Sequence, residues 1–454
     1  MNKQFFSLFA LFFFFIHAEA AERLSLDDVI ERALNYDPRI SELEAFVGHA
    51  QALLEEAEGS DDIMISANAF VGLSPALDGD GLFKEDCGDG NICKSRRDRY
   101  NLDDGFSPWF NLQFGIIKPL KTFGKLENYA IAAKQNIRLK EQDVRLQRGS
   151  TILDVKKAYY GYLTAKNTGL FLADIKKRID SSAEMVELWL DEGEGEASQS
   201  DLFALQSASA LADSYLAKVG ALETIAIEGL KVLTGIDPGV EVELAEKSLR
   251  PIDLPELELG ELQNQALLER PEIKQLNHGL KASRALVKAK KAMQKPNIYA
   301  GVVGMIAYSP LRDRVDNPYI YDPFNDIGST PIIGVQWDWA GGVQSAKAKQ
   351  AQAELNALVE KNTFARRGIP YQVAEAYTQA HAHYQALISL KKSAKAARKW
   401  MISSYTDFEA GLQPVDKMVG AFQAYVLSYT DYLQTVFDYN MQVAQLEQVT
   451  GAYQ

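Results

Sequence analysis

The stretch Asn111–Gln135 reads NLQFGIIKPLKTFGKLENYAIAAKQ, and its hydrophobic period changes once, after Phe123-Gly124. Before that point apolar and polar side chains alternate, which predicts a two-faced strand. The apolar positions of this strand are Phe110, Leu112, Phe114 and Ile116. After the change the spacing is helical, and no proline interrupts it until after residue 230. The sequence therefore predicts a short strand fused to a very long helix.

The first 20 residues have the parts of a secretory signal peptide. Lys3 supplies the positive charge, an apolar run of 12 residues follows, and Ala18-Glu19-Ala20 fits the small-x-small cleavage rule. The run is shorter than the roughly 20 residues of a spanning helix, although an uncleaved anchor is the alternative. We expect an exported chain whose mature form begins at Ala21.

The composition excludes some classes of function. The chain has 454 residues, more than one ordinary core holds, so a multi-domain or elongated protein is expected. Its net charge is −13 and it has no dense basic run, which argues against a nucleic-acid partner.

Two halves of the chain resemble each other, with matching segments in the same order. The matches are ALNYDPRISEL from Ala33 with ALLERPEIKQL from Ala266, KAYYGYLTA from Lys157 with EAYTQAHAH from Glu375, and KVLTG ending at Gly235 with EQVTG ending at Gly451. The predicted organisation is a signal peptide at 1–20, a first repeat at 21–240, a linker at 241–258 and a second repeat at 259–454.

Each repeat has the same predicted plan. A helical segment follows a proline, Pro38 or Pro271, and two strands, a long helix, a glycine-marked turn and a second long helix come next. The predicted strands span 63–73, 110–118, 297–308 and 332–339. The predicted long helices span 123–192, 200–235, 341–408 and 415–450.

The predicted strands have the length of membrane-crossing strands. Each is about ten residues long, which spans a bilayer when the strand is tilted. Aromatic residues lie near the strand ends, where membrane interfaces favour them. These residues are Trp109, Tyr308, Trp337 and Trp339. A soluble sandwich with one wet face is the alternative from the strands alone, and the third strand alternates least regularly.

The helices favour an extended assembly. The first long helix would measure roughly 100 Å at 1.5 Å per residue, which requires parallel neighbours. Apolar residues spaced alternately by three and four indicate coiled-coil seams of about four heptads. They are Leu205, Ala208, Ala212, Tyr215, Val219, Leu222, Ala226, Gly229 and Leu233 in the first half, and Val415, Met418, Phe422, Tyr425, Tyr429, Tyr432, Val436, Tyr439, Val443 and Leu446 in the second, after Val373, Tyr377, Ala380, Tyr384 and Leu387. Pro370 is expected to kink or interrupt its helix.

Four strands cannot close into a barrel, because about eight is the smallest number that does. An open sheet in lipid would leave unpaired edge groups that each cost several kcal/mol. Chains must therefore pool strands, and three chains would give about twelve and a possible pore. The expected fold is an α+β membrane protein, a strand barrel continued by a helical tube.

The whole mature chain resembles the TolC-like outer-membrane efflux protein family. The resemblance rests on the two strand-to-helix segments, PLKTFGKLENYAIAAK and WDWAGGVQSAKAKQ, and on Ala158-Tyr159 and Ala376-Tyr377. It rests further on the turn segments LDEGEGEASQSDLFALQSA and FEAGLQPVDKMVGAFQA. No one motif is specific to the family, whereas their duplicated order is.

The resemblance implies a homotrimer in the outer membrane of a Gram-negative-type bacterium, with a twelve-stranded barrel and a long periplasmic helical barrel. Such a channel is the exit duct of a tripartite export machine for drugs, metal ions or secreted proteins. Its implied partners are outer-membrane lipid, a periplasmic adaptor and an inner-membrane pump of RND, ABC or MFS type. The resemblance implies no enzymatic activity and no cofactor. A periplasmic coiled-coil adaptor is the alternative, although it leaves the duplicated strands unexplained.

The resemblance also implies a constriction at the helix tips. Asp416 matches the first acidic position of the family, whereas the second falls near Val419 or Gly420 and departs from the pattern. A tyrosine usually follows the turn glycine of the family, and here the residue is Leu412. The expected constriction residues are Asp416, Asp201 and Leu412.

The turn of the first repeat is unusually acidic. Its acids are Glu187, Asp191, Glu192, Glu194, Glu196 and Asp201, with no base among them. Repeated three times, they would concentrate a negative field that favours cations, although a merely solvated turn is equally compatible. Gly193, Gly195 and Gly411 are expected to permit the left-handed conformation that reverses the chain.

Other candidate sites are weak. Cys87 and Cys93 favour a disulfide in an exported chain, with a metal or redox pair as the alternative. The acidic loop around Asp78 lacks calcium-loop spacing, because Leu82 occupies a ligand position. His381 and His383 are two residues apart on a predicted helix and so point to different faces. We find no catalytic motif and expect no metal.

Overall fold

The computed structural model describes residues 22–77, 102, 105–193, 198–314 and 321–453. Several sequence predictions therefore lie outside the described residues. They are the signal peptide, the loop around Asp78, the pair Cys87 and Cys93, and the tip residues Glu194, Gly195 and Glu196.

The same order of elements occurs twice. The first set is β1 (Glu22–Leu24), α1 (Leu26–Tyr36), α2 (Pro38–Gly59), β2 (Met64–Pro75), β3 (Phe106–Lys121), α3 (Lys125–Glu192) and α4 (Gln199–Thr234). The second set is β4 (Val242–Leu244), α5 (Leu259–Glu269), α6 (Pro271–Ala292), β5 (Asn297–Tyr308), β6 (Asp326–Gln336), α7 (Val343–Glu409) and α8 (Val415–Thr450). Lengths also recur, since α3 and α7 have 68 and 67 residues and α4 and α8 have 36 each.

The described residues form two compact units. One unit comprises the described residues up to Leu43, Gln142–Lys274 and those from Phe364 onward. The other comprises Glu44–Glu141 and Gln275–Thr363. The first unit holds the helix tips, the linker and the short strands β1 and β4, and the second holds β2, β3, β5 and β6.

The second unit contains an antiparallel sheet in the order β2-β3-β5-β6. The register places apolar residues of all four strands on one face, and one row across the strands is Ala69, Leu112, Ile306 and Ile327. The adjacent row, on the other face, is Asn68, Gln113, Met305 and Gly328. Both faces follow from the two-residue period of the strands.

The apolar face is exposed. Val71 is 84% exposed and Ile333 is 80% exposed. A contiguous apolar surface of this kind marks an interaction with a membrane or another protein. Inside the described part of the chain, every helix falls short of the length or apolarity needed to cross a membrane.

The prediction for the fourth strand was wrong at both ends. It placed the strand at 332–339, whereas β6 spans Asp326–Gln336. Its partner β5 begins at Asn297, opposite Gln336, so Trp337 and Trp339 have no neighbour to pair with and follow the strand. The missed first residues, rich in Gly and Ser, read as loop. Pro331 is tolerated because β6 is an edge strand of this sheet.

Strand β3 is also longer than predicted. It spans Phe106–Lys121, against a predicted 110–118, and contains Pro108 and Pro119. The register against β5 shifts between Pro119 and Lys121, where the proline has no N–H to donate. The bounds of β2, α3, α4 and α7 differ from the predicted ones by at most two residues at either end.

The core of the first unit is built on the predicted seams of α7 and α8. Val373, Ala380, Val436 and Tyr439 are fully buried. Helix α7 continues through Pro370 without a break in its range, so of the predicted kink or break the break was wrong. The Pro370 carbonyl instead accepts a hydrogen bond of 3.0 Å from Gln263 Nε2.

The predicted seam of α4 is buried only in part. Leu205 and Ala212 are buried, but Tyr215 and Leu222 are exposed. Exposed apolar residues continue along this helix at heptad-like spacing, and this stripe is not covered by any of the residues that the structure describes. The residues of this α4 stripe are Leu211, Tyr215, Leu222, Ile225 and Val232.

The predicted linker contains structure that sequence reasoning missed. Strand β4 pairs in parallel with β1 through three residues. Fully buried Asn440 of α8 holds the following segment, because its Nδ2 donates to Arg250 O at 2.9 Å and its Oδ1 accepts from Ile252 N at 3.0 Å. The linker is therefore fixed on the helices of its own unit.

Candidate functional site

Both helix-to-helix turns pass through glycine in the left-handed region. Gly193 follows α3 with φ of 66° and Gly411 follows α7 with φ of 70°, a conformation that disfavours other residues. At the second turn, Leu412 N donates to Asp407 O and Gly411 N donates to Phe408 O, both at 2.8 Å. This pair of bonds is the Schellman motif, which satisfies the last carbonyls of α7.

The helix-to-helix turns form the tips of two helical hairpins, and the acidic residues Asp201 and Asp416 at these tips have different environments. Asp201 completes a capping box at the start of α4, because its carboxylate accepts from Ser198 N at 2.8 Å and Ser198 Oγ at 2.6 Å. This contact gives Asp201 a capping role that the constriction prediction did not include. Asp416 lies in the first turn of α8 and is exposed. The positive end of the helix dipole favours a carboxylate there.

A cluster of buried side chains packs all four helix ends together, and we call it the tip cluster. Its members are Ile175, Ile179, Val186, Leu202, Leu205, Ala397, Met401, Phe408, Val415, Met418, Ala421, Phe422 and Tyr425. The rings of Trp189 and Phe408 lie 5.3 Å apart. The cluster brings both hairpins together, because Asp201 precedes Leu202 and Asp416 follows Val415.

The tip surface is acidic. Asp191 and Glu192 are exposed at the end of α3, and no Lys or Arg occurs in the sequence between Arg178 and Lys218. Lys417 is the base next to Asp416. Leu412 projects from the second turn with 79% of its surface exposed, which places an apolar group among these acids.

A polar link between α3 and α4 was missed by sequence reasoning. The Asp180 carboxylate accepts from Lys176 Nζ at 2.8 Å and from Ser209 Oγ at 2.5 Å. Lys176 also lies 3.5 Å from Asp213 of α4. The hydrogen bonds from Lys176 and Ser209 hold the pKa of Asp180 below its usual range. The i,i+4 spacing of Lys176 and Asp180 was the available signal, but nothing in the sequence pointed to α4.

A second link joins α3 to α7. The Arg178 guanidinium lies over the Tyr405 ring, 5.7 Å from its centroid, and Arg178 Nε lies 3.2 Å from Asp174 Oδ2. Burial raises the pKa of the Tyr405 hydroxyl. The Asp180–Ser209 link to α4 and the Arg178–Tyr405 contact with α7 therefore connect the tip side of α3 to both helices.

The sheet offers a different kind of site. Its polar face holds an open cavity of about 480 Å³ lined by hydroxyl and amide groups. The hydroxyl and amide groups on this face belong to Ser66, Asn68, Gln113 and Thr330, and Ile117, Val303 and Met305 also line the cavity. Within the described ranges no group of three or more His, Cys, Asp or Glu is arranged to hold a metal ion.

No protein-family model matches the chain, and no curated protein matches it. Solved structures do match. VceC of Vibrio cholerae, an outer membrane protein, has 14% identity and a TM-score of 0.74, covering 94% of this chain and 96% of that chain. The CmeC outer membrane channel of Campylobacter jejuni has 12% identity and a TM-score of 0.75, covering 94% and 85%.

The MtrE outer membrane channel of Neisseria gonorrhoeae, in its open state, has 17% identity and a TM-score of 0.71, covering 94% of this chain and 88% of that chain. The likeness spans both repeats, the sheet and the long helices. The chain therefore has the fold of the TolC-like outer-membrane channels.

Proposed function

We propose that this chain forms the outer-membrane exit duct of a tripartite export machine. The observation that carries the proposal is the four-stranded sheet with one exposed apolar face and one polar face. The fold that the chain shares with solved outer-membrane channels supports it. The duct passes drugs, metal ions or secreted proteins and performs no reaction, so it needs no cofactor.

The apolar face fits a lipid environment. The four strands have 11 to 16 residues, enough to cross a bilayer when tilted. Residues as exposed as Val71 and Ile333 would cost free energy in water, whereas lipid tails cover them. The polar face would then line the water-filled interior.

The sheet edges require further copies of the chain. Strands β2 and β6 are the edges of this sheet, and unpaired backbone groups in lipid cost several kcal/mol each. Pairing β6 of one copy with β2 of the next satisfies both edges, and three copies close twelve strands. The α4 stripe supports the same homotrimer, because neighbouring helices would cover its exposed Leu222 and Ile225.

The tips then form the periplasmic constriction. Three copies of Asp416, with Asp191 and Glu192 near the same tips, would make the entrance negative and favour cations. Leu412 would narrow it with an apolar group. Asp201 serves mainly to cap α4, since its carboxylate is already hydrogen-bonded. A periplasmic adaptor and an inner-membrane pump of RND, ABC or MFS type would dock at this end.

Single-channel recording in planar bilayers tests the proposal. The purified protein should give discrete conductance steps with a preference for K⁺ over Cl⁻. Asp416→Asn should lower that preference, because each copy loses one charge at the entrance, whereas the control Asp431→Asn, further along α8, should leave it unchanged. A wild-type protein without conductance steps would refute the duct, and unchanged selectivity in Asp416→Asn would refute only the constriction residue.

The alternative of a periplasmic adaptor is not favoured. An adaptor in water would leave the apolar face of the sheet exposed, with no lipid to cover it. Membrane fractionation separates the two, because the proposed channel needs detergent to leave the outer membrane and an adaptor does not.

A further inference from the structure

The two strand-to-helix junctions of the chain have the same backbone. One joins β3 to α3 and the other joins β6 to α7. The matching hydrogen bonds are Lys125 N to Thr122 O at 3.0 Å and Asn128 N to Gly124 O at 3.1 Å in the first, and Val343 N to Ala340 O at 2.8 Å and Ala346 N to Gly342 O at 2.9 Å in the second. Phe123 of the first junction therefore corresponds to Gly341 of the second.

Phe123 is in an unfavourable conformation. Its φ is 53°, where Gly341 has 40°, and it is the one residue besides glycine with positive φ in the described part of the chain. Bulky residues rarely adopt this region, because Cβ approaches the backbone. Strain of this kind persists where the surroundings hold it, and it concentrates at functional positions.

Two lysines converge on the Phe123 ring. Lys121 Nζ lies 5.4 Å and Lys295 Nζ 5.6 Å from the ring centroid, so the two cations are no more than about 11 Å apart. Both distances are within the range of a cation–π interaction. The Phe123 ring thus contacts two like charges, and 38% of its own surface is exposed. An anion between the lysines would offset their repulsion.

The lysine pair lies at the edge of the apolar face. Lys121 is paired with Ile298, which pairs in turn with Val335 of β6. Trp337 and Trp339, just past the end of β6, are 61% and 81% exposed. Exposed tryptophans beside an apolar surface are typical of the level of lipid head groups.

Trp337 also forms a hydrogen bond with the segment that precedes Lys295. Its Nε1 donates to the carbonyl of Gln294, the residue before Lys295, at 3.3 Å. Acids lie at this end of the sheet too, since Asp61 and Asp62 precede β2 and Asp338 separates the tryptophans. Lys118 and Lys125 also lie within four residues of Lys121. The lysine pair is therefore distinguished by the ring that both lysines contact, in a region that carries charges of both signs.

We propose that Lys121 and Lys295, gathered by Phe123, bind the phosphate of an anionic phospholipid in the leaflet that adjoins the helices. The inference rests on the proposed function, because it requires the apolar face to lie in lipid. The acyl chains would lie along that face and the tryptophans would flank the head group. Phe123 acts through the lysines as a positioning residue, which gives a reason for its strained backbone.

Binding of phosphatidylglycerol to the detergent-purified full chain, followed by native mass spectrometry, tests the inference. Phosphatidylcholine with the same acyl chains is the zwitterionic comparison, and glycerol phosphate tests for a free phosphate. Each lysine near an anionic head group is worth about a fivefold change in affinity. The double variant Lys121→Gln/Lys295→Gln should therefore bind phosphatidylglycerol roughly 30-fold more weakly, whereas the control Lys391→Gln/Lys392→Gln should bind like the wild type.

Phe123→Gly copies the residue of the other junction and relieves the strained backbone, so its unfolding midpoint should be no lower than that of the wild type, yet it should bind phosphatidylglycerol several-fold more weakly. Equal binding of both lipids by the wild type, full binding by the double lysine variant, or tight binding of glycerol phosphate would overturn the inference. Vesicle insertion separates it from the proposed function. A chain that enters phosphatidylcholine vesicles but lacks the preference refutes only the lipid site, and one that enters no vesicle refutes both.

Discussion

A substitution at Val71 tests whether the apolar face of the sheet contacts lipid or water. Val71 is 84% exposed, and a substitution at such a site in water usually changes stability by less than about 0.5 kcal/mol. In lipid, an arginine near the bilayer midplane costs about 2–4 kcal/mol. Val71 is the eighth of the 12 residues of β2, about 5 Å from the strand centre at 3.3 Å per residue. The free-energy cost of Val71→Arg should therefore lie near the middle of this range of about 2–4 kcal/mol.

The assay measures the free energy of unfolding in denaturant for the protein reconstituted in vesicles. The amount of each variant recovered from outer membranes is the second readout. Three chains would each carry one arginine, so a trimer should lose about 6–12 kcal/mol in all. The control is Asn68→Arg, on the polar face of the same strand, and it should cost less than about 1 kcal/mol. Equal costs for the two variants, or a larger cost for Asn68→Arg, would refute the assignment of the faces.

Three further predictions concern the helical unit. Asn440→Ala should lower the unfolding free energy by about 1–3 kcal/mol in denaturant titration, because two partly buried hydrogen bonds to the linker backbone are lost; a cost below about 0.5 kcal/mol would contradict the role of Asn440 in holding the linker. Burial raises the pKa of Tyr439 to about 12, so its contribution to stability is complete below pH 10 and is lost as the pH rises toward 12. Tyr439→Phe removes a buried hydroxyl that lacks a partner among the described residues. It should therefore reduce the loss of stability at alkaline pH in thermal melts, and a pH profile equal to that of the wild type would contradict the role of Tyr439. The lowered pKa of Asp180 means that its contribution is present at neutral pH and lost as the pH falls below about 4; Asp180→Asn should thus destabilise at pH 7 and less at pH 3, and equal effects at both would contradict the link.

The plan of the fold could be predicted because its signals are local and occur twice. A change of hydrophobic period fixed the junction at Phe123-Gly124, and α3 begins at Lys125. The coiled-coil seam of α8 could also be predicted from local spacing, since Val436 and Tyr439 lie at the predicted positions and are buried. Where a segment was short or rich in Gly and Ser, as at the start of β6, pairing with the neighbouring strand decided its bounds.

The contacts that hold the site together could not be predicted, because they join residues far apart in sequence. Asn440 reaches a linker about 190 positions earlier, and the Lys295 ammonium lies over a ring from the other repeat. The part of the α4 seam around Leu222 is exposed among the residues that the structure describes, and its spacing alone could not show this. Asp201 was predicted to lie at the constriction, but its carboxylate accepts a hydrogen bond from Ser198 Oγ and so belongs to a capping box.

The native mass of the protein extracted from outer membranes in mild detergent tests the central claim most directly. Four strands in one chain leave two edges that only further copies can pair. The account predicts a mass of three chains, with the protein absent from the fraction released without detergent. A single chain in detergent, or a protein that leaves the membrane fraction without it, would contradict the pooled barrel and the exit duct built on it.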